Sequence, residues 1–266
     1  MRFQLGNRRL LCSTVAFLAL GCCVSRGQFW DSGTGLLQCP SAEMNRDGTF
    51  MITNNFMNKH SISDWYWGYH TFEYGFNINL WSRLEVGYVC VILDGKRKPN
   101  PTDRDLIMFN QDRHFTAKVL LLREGDFGVS WLPALAVGMS DPTTYNGGDY
   151  SGESVTGEGN GFFNRYYAVA TKHFNTKVGA VGAHLGYQYN LRTDFPMNGP
   201  CVAVDWVPVW LDSPAASVKL IAEYDSRTFN MGLIASFWDD RFEAMFELMA
   251  MKWVNFGVRY KLALKP

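Results

Sequence analysis

Apolar and polar residues alternate one by one along the last fifty residues of the chain, and this alternation constrains the fold more than any other feature. In the final segment Val254, Phe256 and Val258 alternate with Asn255 and Gly257. Successive side chains of a β-strand point to opposite faces, so a period of two indicates a strand with one apolar and one polar face. The C-terminal region is therefore predicted to be a series of two-faced strands.

The same alternation recurs upstream, and the chain divides into about twelve such segments. Most have about ten residues, which matches the ~9–11 of a tilted transmembrane strand and exceeds the ~5–6 of an average strand. The mean hydropathy is only −0.13, as expected when one face meets lipid and the other meets a polar lumen. We predict an all-β fold, an antiparallel transmembrane β-barrel domain over 48–266. The strands are predicted at 48–57, 69–79, 82–93, 113–122, 126–139, 164–173, 177–190, 201–210, 217–226, 228–237, 241–250 and 253–264.

The lengths of the connections support a membrane orientation. The connections 94–112, 140–163 and 191–200 are long and rich in Gly, Pro, Asn and Asp, whereas those near Trp81 and Trp238 are short. Outer-membrane barrels have long extracellular loops and short periplasmic turns. The pattern predicts a barrel with both termini on the periplasmic side.

The N-terminus has the pattern of an export signal. Three arginines lie within the first nine residues, and an apolar run over 10–20 follows them. A basic start and a short apolar run are typical of a secretory signal peptide. We predict a signal peptide over 1–27 and an N-terminal segment over 28–47. The alternative is lipoprotein cleavage before Cys22, because the residues before it resemble a lipobox.

The two faces of the predicted strands define two sets of candidate residues. Charges of both signs on the polar faces are expected to line the lumen, either as a path for a solute or as salt bridges that fill the interior. These residues are Glu73, Arg83, Glu85, Lys219, Glu223, Asp225, Arg241, Glu243, Glu247, Arg259 and Lys261. The apolar face of the last two strands is expected to meet lipid, with Phe242, Phe246, Val254, Phe256, Val258 and Tyr260.

Composition and spacing argue against several other functions. Lys+Arg and Asp+Glu both number 25, so the surplus of positive charge that nucleic-acid binding needs is missing. The three cysteines beyond the signal, Cys39, Cys90 and Cys201, form no CxxC pair, which disfavours a zinc site and allows one disulfide. We predict no metal and no cofactor.

Catalysis is also disfavoured. A nucleophilic hydrolase needs a serine within reach of a histidine that a third group orients. His114, His184, Ser130 and Ser236 lie on or near predicted strands, but no local motif connects them. We therefore predict that the protein is not an enzyme.

Two stretches of the mature chain resemble the YjbH family of Gram-negative exported proteins. The first runs from Gly35 to Met44, and the second contains an Ala-Glu-Tyr-Asp strand. The residues that carry the resemblance are Gly35, Leu36, Pro40, Ser41, Ala42, Met44, Glu223, Tyr224 and Asp225. Glu43 stands where the family pattern has arginine, and Cys39 where it has a small polar residue.

The resemblance implies an outer-membrane β-barrel, often lipoprotein-like, that is associated with exopolysaccharide production or export. Its implied partners are outer-membrane lipid, polysaccharide and proteins of an export machinery, with no nucleic acid. One alternative is a generic porin-like channel or structural barrel. A second is a soluble periplasmic ligand-binding β-sandwich, in which the apolar faces would form a buried core instead of meeting lipid.

Overall fold

The computed structural model describes residues 31–61, 69–92, 111–142, 163–190, 198–213 and 215–264. The predicted signal peptide and Cys22 lie outside these residues, as do most of the three long connections. Among the described residues, no helix is long and apolar enough to span a membrane.

Twelve antiparallel strands form a closed barrel in which every strand pairs with its neighbours in the chain and β1 pairs with β12. Closure gives each strand two hydrogen-bonded neighbours and leaves no free sheet edge. The strands are β1 (Thr49–Met57), β2 (Thr71–Leu80), β3 (Leu84–Ile92), β4 (Gln111–Leu122), β5 (Ala134–Ser140), β6 (Arg165–Thr176), β7 (Gly179–Tyr189), β8 (Gly199–Pro208), β9 (Ala216–Tyr224), β10 (Phe229–Phe237), β11 (Phe242–Met249) and β12 (Trp253–Ala263).

The burial of side chains follows the alternation of the sequence, with apolar side chains outside and polar ones inside. On β12, Phe256 and Val258 are 50% and 43% exposed, whereas the neighbouring Asn255 and Arg259 are about 1% exposed. A soluble sandwich would bury the apolar face and expose the polar one. The reversed arrangement is that of a transmembrane barrel, so the sandwich alternative is wrong.

The fifth strand is shorter than predicted. The prediction began at residue 126, but β5 begins at Ala134, and Asp126–Gly128 forms a short 3-10 turn. Gly125 before that turn has φ 73°, a backbone conformation that glycine adopts at little cost. Pro133 comes directly before β5, where its missing N–H removes no ladder hydrogen bond. Likewise, β8 ends at Pro208.

The two rims of the barrel differ in their connections. The rim where β1 begins and β12 ends, here called the N-terminal rim, has connections such as 81–83 and 177–178. The opposite rim, here called the far rim, has the longest connections, between β3 and β4 and between β5 and β6. The prediction of long and short connections on opposite sides is therefore confirmed for these pairs.

Candidate functional site in the barrel lumen

The lumen contains the start of the described chain. Residues 31–45, here called the inner segment, are buried apart from the half-buried Met44. The segment folds back on itself: Gly35 and Pro40 form an antiparallel bridge, and the Leu36 N–H donates to the Cys39 carbonyl at 3.1 Å. The sequence predicted only a stretch before the barrel, whereas the structure places these residues inside it.

One carboxylate on the barrel wall receives the turn of the inner segment. Glu223 on β9 accepts hydrogen bonds from the backbone N–H groups of Leu37 at 3.2 Å, Gln38 at 2.6 Å and Cys39 at 3.2 Å. The Gln38 side chain donates to Glu247 on β11 at 2.8 Å. Consecutive N–H groups that converge in this way form a concave anion-binding site. We call this region the carboxylate anchor: Leu37, Gln38, Cys39, Glu223 and Glu247.

Two further wall carboxylates hold the first part of the segment. Ser32 donates to Glu73 on β2 at 2.6 Å, and the Thr34 N–H donates to Glu85 on β3 at 2.9 Å. The Thr34 hydroxyl also donates to Glu85, at 2.7 Å. These hydrogen bonds give the buried Ser32 and Thr34 hydroxyls partners on the wall, as buried polar groups require.

Two buried cations from other strands also reach the inner segment. Lys118 on β4 donates to the Thr34 carbonyl at 2.6 Å and to the Glu43 carbonyl at 2.8 Å. Arg165 on β6 pairs with Asp31 and donates to the Gln38 carbonyl at 3.2 Å. The segment is thus bound to strands on several sides of the barrel.

A second region, near the N-terminal rim, is built from charges of both signs. Glu43 of the inner segment accepts from Lys219 on β9 at 2.7 Å, and its Oε1 lies 3.2 Å from His173 Nε2 on β6. Lys219 lies 3.7 Å from Asp205 on β8, and Asp205 lies 2.7 Å from His184 Nε2 on β7. We call Glu43, His173, His184, Asp205 and Lys219 the ion-pair cluster.

The charges of the cluster control the protonation of Glu43. Burial alone would raise the pKa of this carboxyl, but Lys219 and His173 hold the pKa well below its usual range. Glu124, in the connection between β4 and β5, lies 2.5 Å from His173 Nδ1. Its pKa is also lowered, because hydrogen bonds from His173 outweigh the effect of partial burial. Glu43 and Glu124 are therefore carboxylates at neutral pH.

The structure places most of the predicted lumen residues on the buried inner face. Glu243 there accepts from Lys261 at 2.6 Å. Asp225 is buried in the connection between β9 and β10. The other buried members of the predicted set are Glu73, Glu85, Lys219, Glu223, Glu247 and Arg259.

Two predicted lumen residues lie at the N-terminal rim instead. Arg83 is in the turn between β2 and β3, where it donates to the Leu121 carbonyl at 3.1 Å and lies 3.8 Å from Asp126. Arg241 is exposed in the turn between β10 and β11. Each arginine lies directly before the first residue of a strand. The alternation of polar and apolar residues in the sequence continues through this position, although the side chain lies outside the lumen.

The predicted lipid-facing residues of β11 and β12 lie on the outer surface. Five of them are 38% to 50% exposed, and Phe242 is partly covered. Phe256 stacks on Phe56 of β1 with ring centroids 4.8 Å apart, which continues the apolar surface across the point of barrel closure.

Sequence reasoning did not select several residues that the structure brings together. All of them take part in the polar contacts of the lumen. They are Asp31, Ser32, Thr34, Gln38, Glu43, Lys118, Arg165, Thr171, His173 and Asp205. Lys118 and Arg165 had a usable signal, because each occupies an inward position of a two-faced strand. The residues of the inner segment had none, since they lie before the alternation begins.

Comparisons with known proteins give one family match and several solved barrels. A family model described as exopolysaccharide biosynthesis protein YbjH matches residues 30–204. No curated protein matches the chain. Solved structures with a similar barrel include the KdgM porin, at 8% identity and a TM-score of 0.45 over 82% of this chain and 99% of that chain. The KdgM porin in complex with disordered oligogalacturonate aligns at 9% identity and a TM-score of 0.45, over 81% of this chain and 99% of that one.

Proposed function

Because the chain belongs to the YjbH family of exopolysaccharide biosynthesis proteins, we propose that it is an outer-membrane β-barrel that assists exopolysaccharide export or surface assembly. Closed barrels satisfy all backbone hydrogen bonds between strands, and an apolar outer face with a polar interior suits the bacterial outer membrane. The proposed partners are membrane lipid, polysaccharide and proteins of an export machinery.

The observation that carries the proposal beyond the family is the inner segment in the lumen. Leu36 and Gln38 have no exposed surface, and the segment is bound to β2, β3, β4, β6, β9 and β11. A passive porin benefits from an unobstructed interior, whereas a protein of polysaccharide assembly benefits from a barrel that stays sealed until its partners act. The filled lumen favours the second role over the porin-like alternative.

We also propose that the protein is not an enzyme. Thr171, His184 and Asp205 form a hydroxyl–imidazole–carboxylate row, with Thr171 Oγ1 2.9 Å from His184 Nδ1. A catalytic hydroxyl must be reachable by substrate. Thr171 is 1% exposed, and its hydroxyl accepts the N–H of Ala42 at 2.9 Å. This row therefore suits structure better than catalysis.

The test of the role compares the full-length wild type with Glu223→Ala in a strain that lacks the chromosomal copy and normally produces exopolysaccharide. The wild type is expected in the outer-membrane fraction, with heat-dependent mobility on a denaturing gel, and to restore surface polysaccharide. In planar bilayers it is expected to conduct little. Glu223→Ala is expected to conduct more, because three backbone N–H groups lose their acceptor and the inner segment loosens.

The opposite results would favour the porin-like alternative. Steady conductance of the wild type, together with normal surface polysaccharide in the deletion strain, would contradict the assembly role. Arg241→Ala is the control for both readouts, because Arg241 is exposed in a turn and touches neither region of the lumen described above.

The membrane location makes a separate prediction. Val258→Arg places a cation on the lipid face in the middle of β12 and is expected to cost ~2–4 kcal/mol of folding free energy near the bilayer midplane. The measurement is reversible folding into phospholipid vesicles. A cost close to zero would mean that this face does not meet hydrocarbon.

A further inference from the structure

Three side chains of the ion-pair cluster have the identity and spacing of a metal site. Single donor atoms of His173, His184 and Asp205 all lie within 4.8 Å of one another. We propose that these three residues bind a divalent metal ion of the imidazole-preferring class, best represented by Zn²⁺, and that Glu43 supplies a fourth ligand from the inner segment. Two imidazoles and one or two carboxylates match the ligands that Zn²⁺ takes in proteins.

Each imidazole is oriented by a partner outside the donor set. His173 Nδ1 contacts Glu124 at 2.5 Å, so its Nε2 faces Glu43 at 3.2 Å. His184 Nδ1 contacts Thr171 at 2.9 Å, so its Nε2 faces Asp205 at 2.7 Å. Metal-binding histidines nearly always have such an outer partner on the second nitrogen, which fixes the ring and raises its basicity. The arrangement thus prepares Nε2 of both rings for one central ion.

Gly182 on β7 makes the space for the donor atoms. A Cβ at this position would overlap the Asp205 carboxylate and would lie 2.9 Å from His184 Nε2. A side chain at position 182 would enter the lumen between Asp205 and His184, so only glycine leaves room for these two side chains to meet. The His173 side chain is 19% exposed near the N-terminal rim, so one of the proposed ligands is in contact with solvent.

Lys219 provides the positive charge between the carboxylates when no metal is bound. Its ammonium lies 2.7 Å from Glu43 and 3.7 Å from Asp205. A divalent ion that enters between these carboxylates takes over the role of the ammonium and displaces it. Removal of Lys219 should therefore strengthen metal binding, which an ion-pair network without metal function would not do.

Metal binding would also connect the inner segment to the wall. Glu43 belongs to the segment, whereas His173, His184 and Asp205 belong to β6, β7 and β8. The sequence predicted no metal because these ligands are far apart along the chain and form no local motif. The inference does not depend on the polysaccharide role, because its readout is binding of the metal alone.

The experiment measures Zn²⁺ binding by the untagged, refolded protein with its inner segment, after removal of metal with a chelator, in competition with a chromophoric chelator. One Zn²⁺ per chain is expected. His184→Ala and Asp205→Asn are expected to weaken binding at least about tenfold, and Lys219→Met to tighten it. His60→Ala is the matched control, since His60 is exposed and stacks on Trp253.

X-ray absorption at the zinc edge of the wild-type protein gives a readout that needs no variant. Two imidazole nitrogens and carboxylate oxygens around zinc are expected. Binding well below one Zn²⁺ per chain, equal affinity in His184→Ala and His60→Ala, or a spectrum without imidazole would overturn the proposal. Heat-dependent mobility checks that each variant has folded. If His184→Ala fails to fold, His173→Gln at the partly exposed ligand provides the same comparison.

Discussion

The carboxylate anchor and the ion-pair cluster hold the same inner segment in opposite ways. At the anchor, Glu223 is surrounded by backbone N–H groups at 2.6 to 3.2 Å. At the cluster, Glu43 lies against the side chains of Lys219, at 2.7 Å, and His173, at 3.2 Å. In the anchor the carboxylate belongs to the wall and the donors to the segment, whereas in the cluster the carboxylate belongs to the segment.

The two contacts depend on different features of the molecule. The donors of the anchor are backbone N–H groups, so the anchor depends on the shape of the turn from Leu37 to Cys39. The cluster contains titratable and metal-binding side chains, so its strength depends on pH and on ions. The molecule therefore holds a single segment by one contact built on backbone geometry and by another built on side-chain charges.

The largest effect is expected from Lys219→Met. Loss of one partner of a buried ion pair leaves an uncompensated charge and typically costs about 3–5 kcal/mol. The Lys219 side chain is 4% exposed and serves both Glu43 and Asp205. Denaturant unfolding of the refolded barrel measures the loss, and Zn²⁺ should restore part of it.

Arg83→Met is the control for this prediction. Arg83 lies 3.8 Å from Asp126, but its side chain is 43% exposed, so water shares the charge and the cost should stay below about 1 kcal/mol. Equal losses for the two variants would remove the distinction between the cluster and an ordinary surface pair.

An intermediate effect is expected from Glu223→Gln. The amide keeps one oxygen acceptor for the N–H groups of the turn but replaces the other oxygen by an NH₂ group, and a buried donor left without an acceptor costs about 1–3 kcal/mol. A loss of about 1–2 kcal/mol follows, measured by the same unfolding experiment. Zn²⁺ should not restore it, because the anchor contains no metal ligand; restoration by Zn²⁺ would show that the two regions are coupled.

The smallest change in stability is expected from lowering the pH below about 4. The pKa of Glu43 is lower in the folded protein than in the unfolded chain, so its contribution is present above the unfolded value of about 4.3 and is lost as the pH falls further. The stability difference between wild type and Glu43→Gln should therefore be constant near neutral pH and shrink below about pH 4. A difference that does not shrink there would mean that Glu43 gains no stability from its charge.

Much of the wall could be predicted from the alternation. The predicted segment 253–264 became β12 at Trp253–Ala263, and 228–237 became β10 at Phe229–Phe237. The alternation also carried Arg83 and Arg241 into the lumen prediction, although both lie in turns, because a period of two does not reveal where a strand leaves the barrel. The predicted start of β5 at residue 126 was wrong, because the apolar residues before Pro133 favoured a strand there, whereas β5 begins at Ala134.

The interior could not be predicted in the same way. Leu37 and Glu223 are 186 positions apart, and Glu43 and His173 are 130 apart. No residue near the inner segment in the chain specifies these partners. Its family motif was recognised as a motif, but nothing in it pointed to the lumen.

The strands, their two faces and the antiparallel barrel follow from the amino-acid sequence alone, because the direction of a side chain in a strand is a local steric property that repeats every two residues. The pairing of the charges and the position of the inner segment in the lumen are set by the tertiary structure. Those contacts depend on closure between β1 and β12 and on the stagger of all twelve strands, which bring distant residues to one height in the barrel.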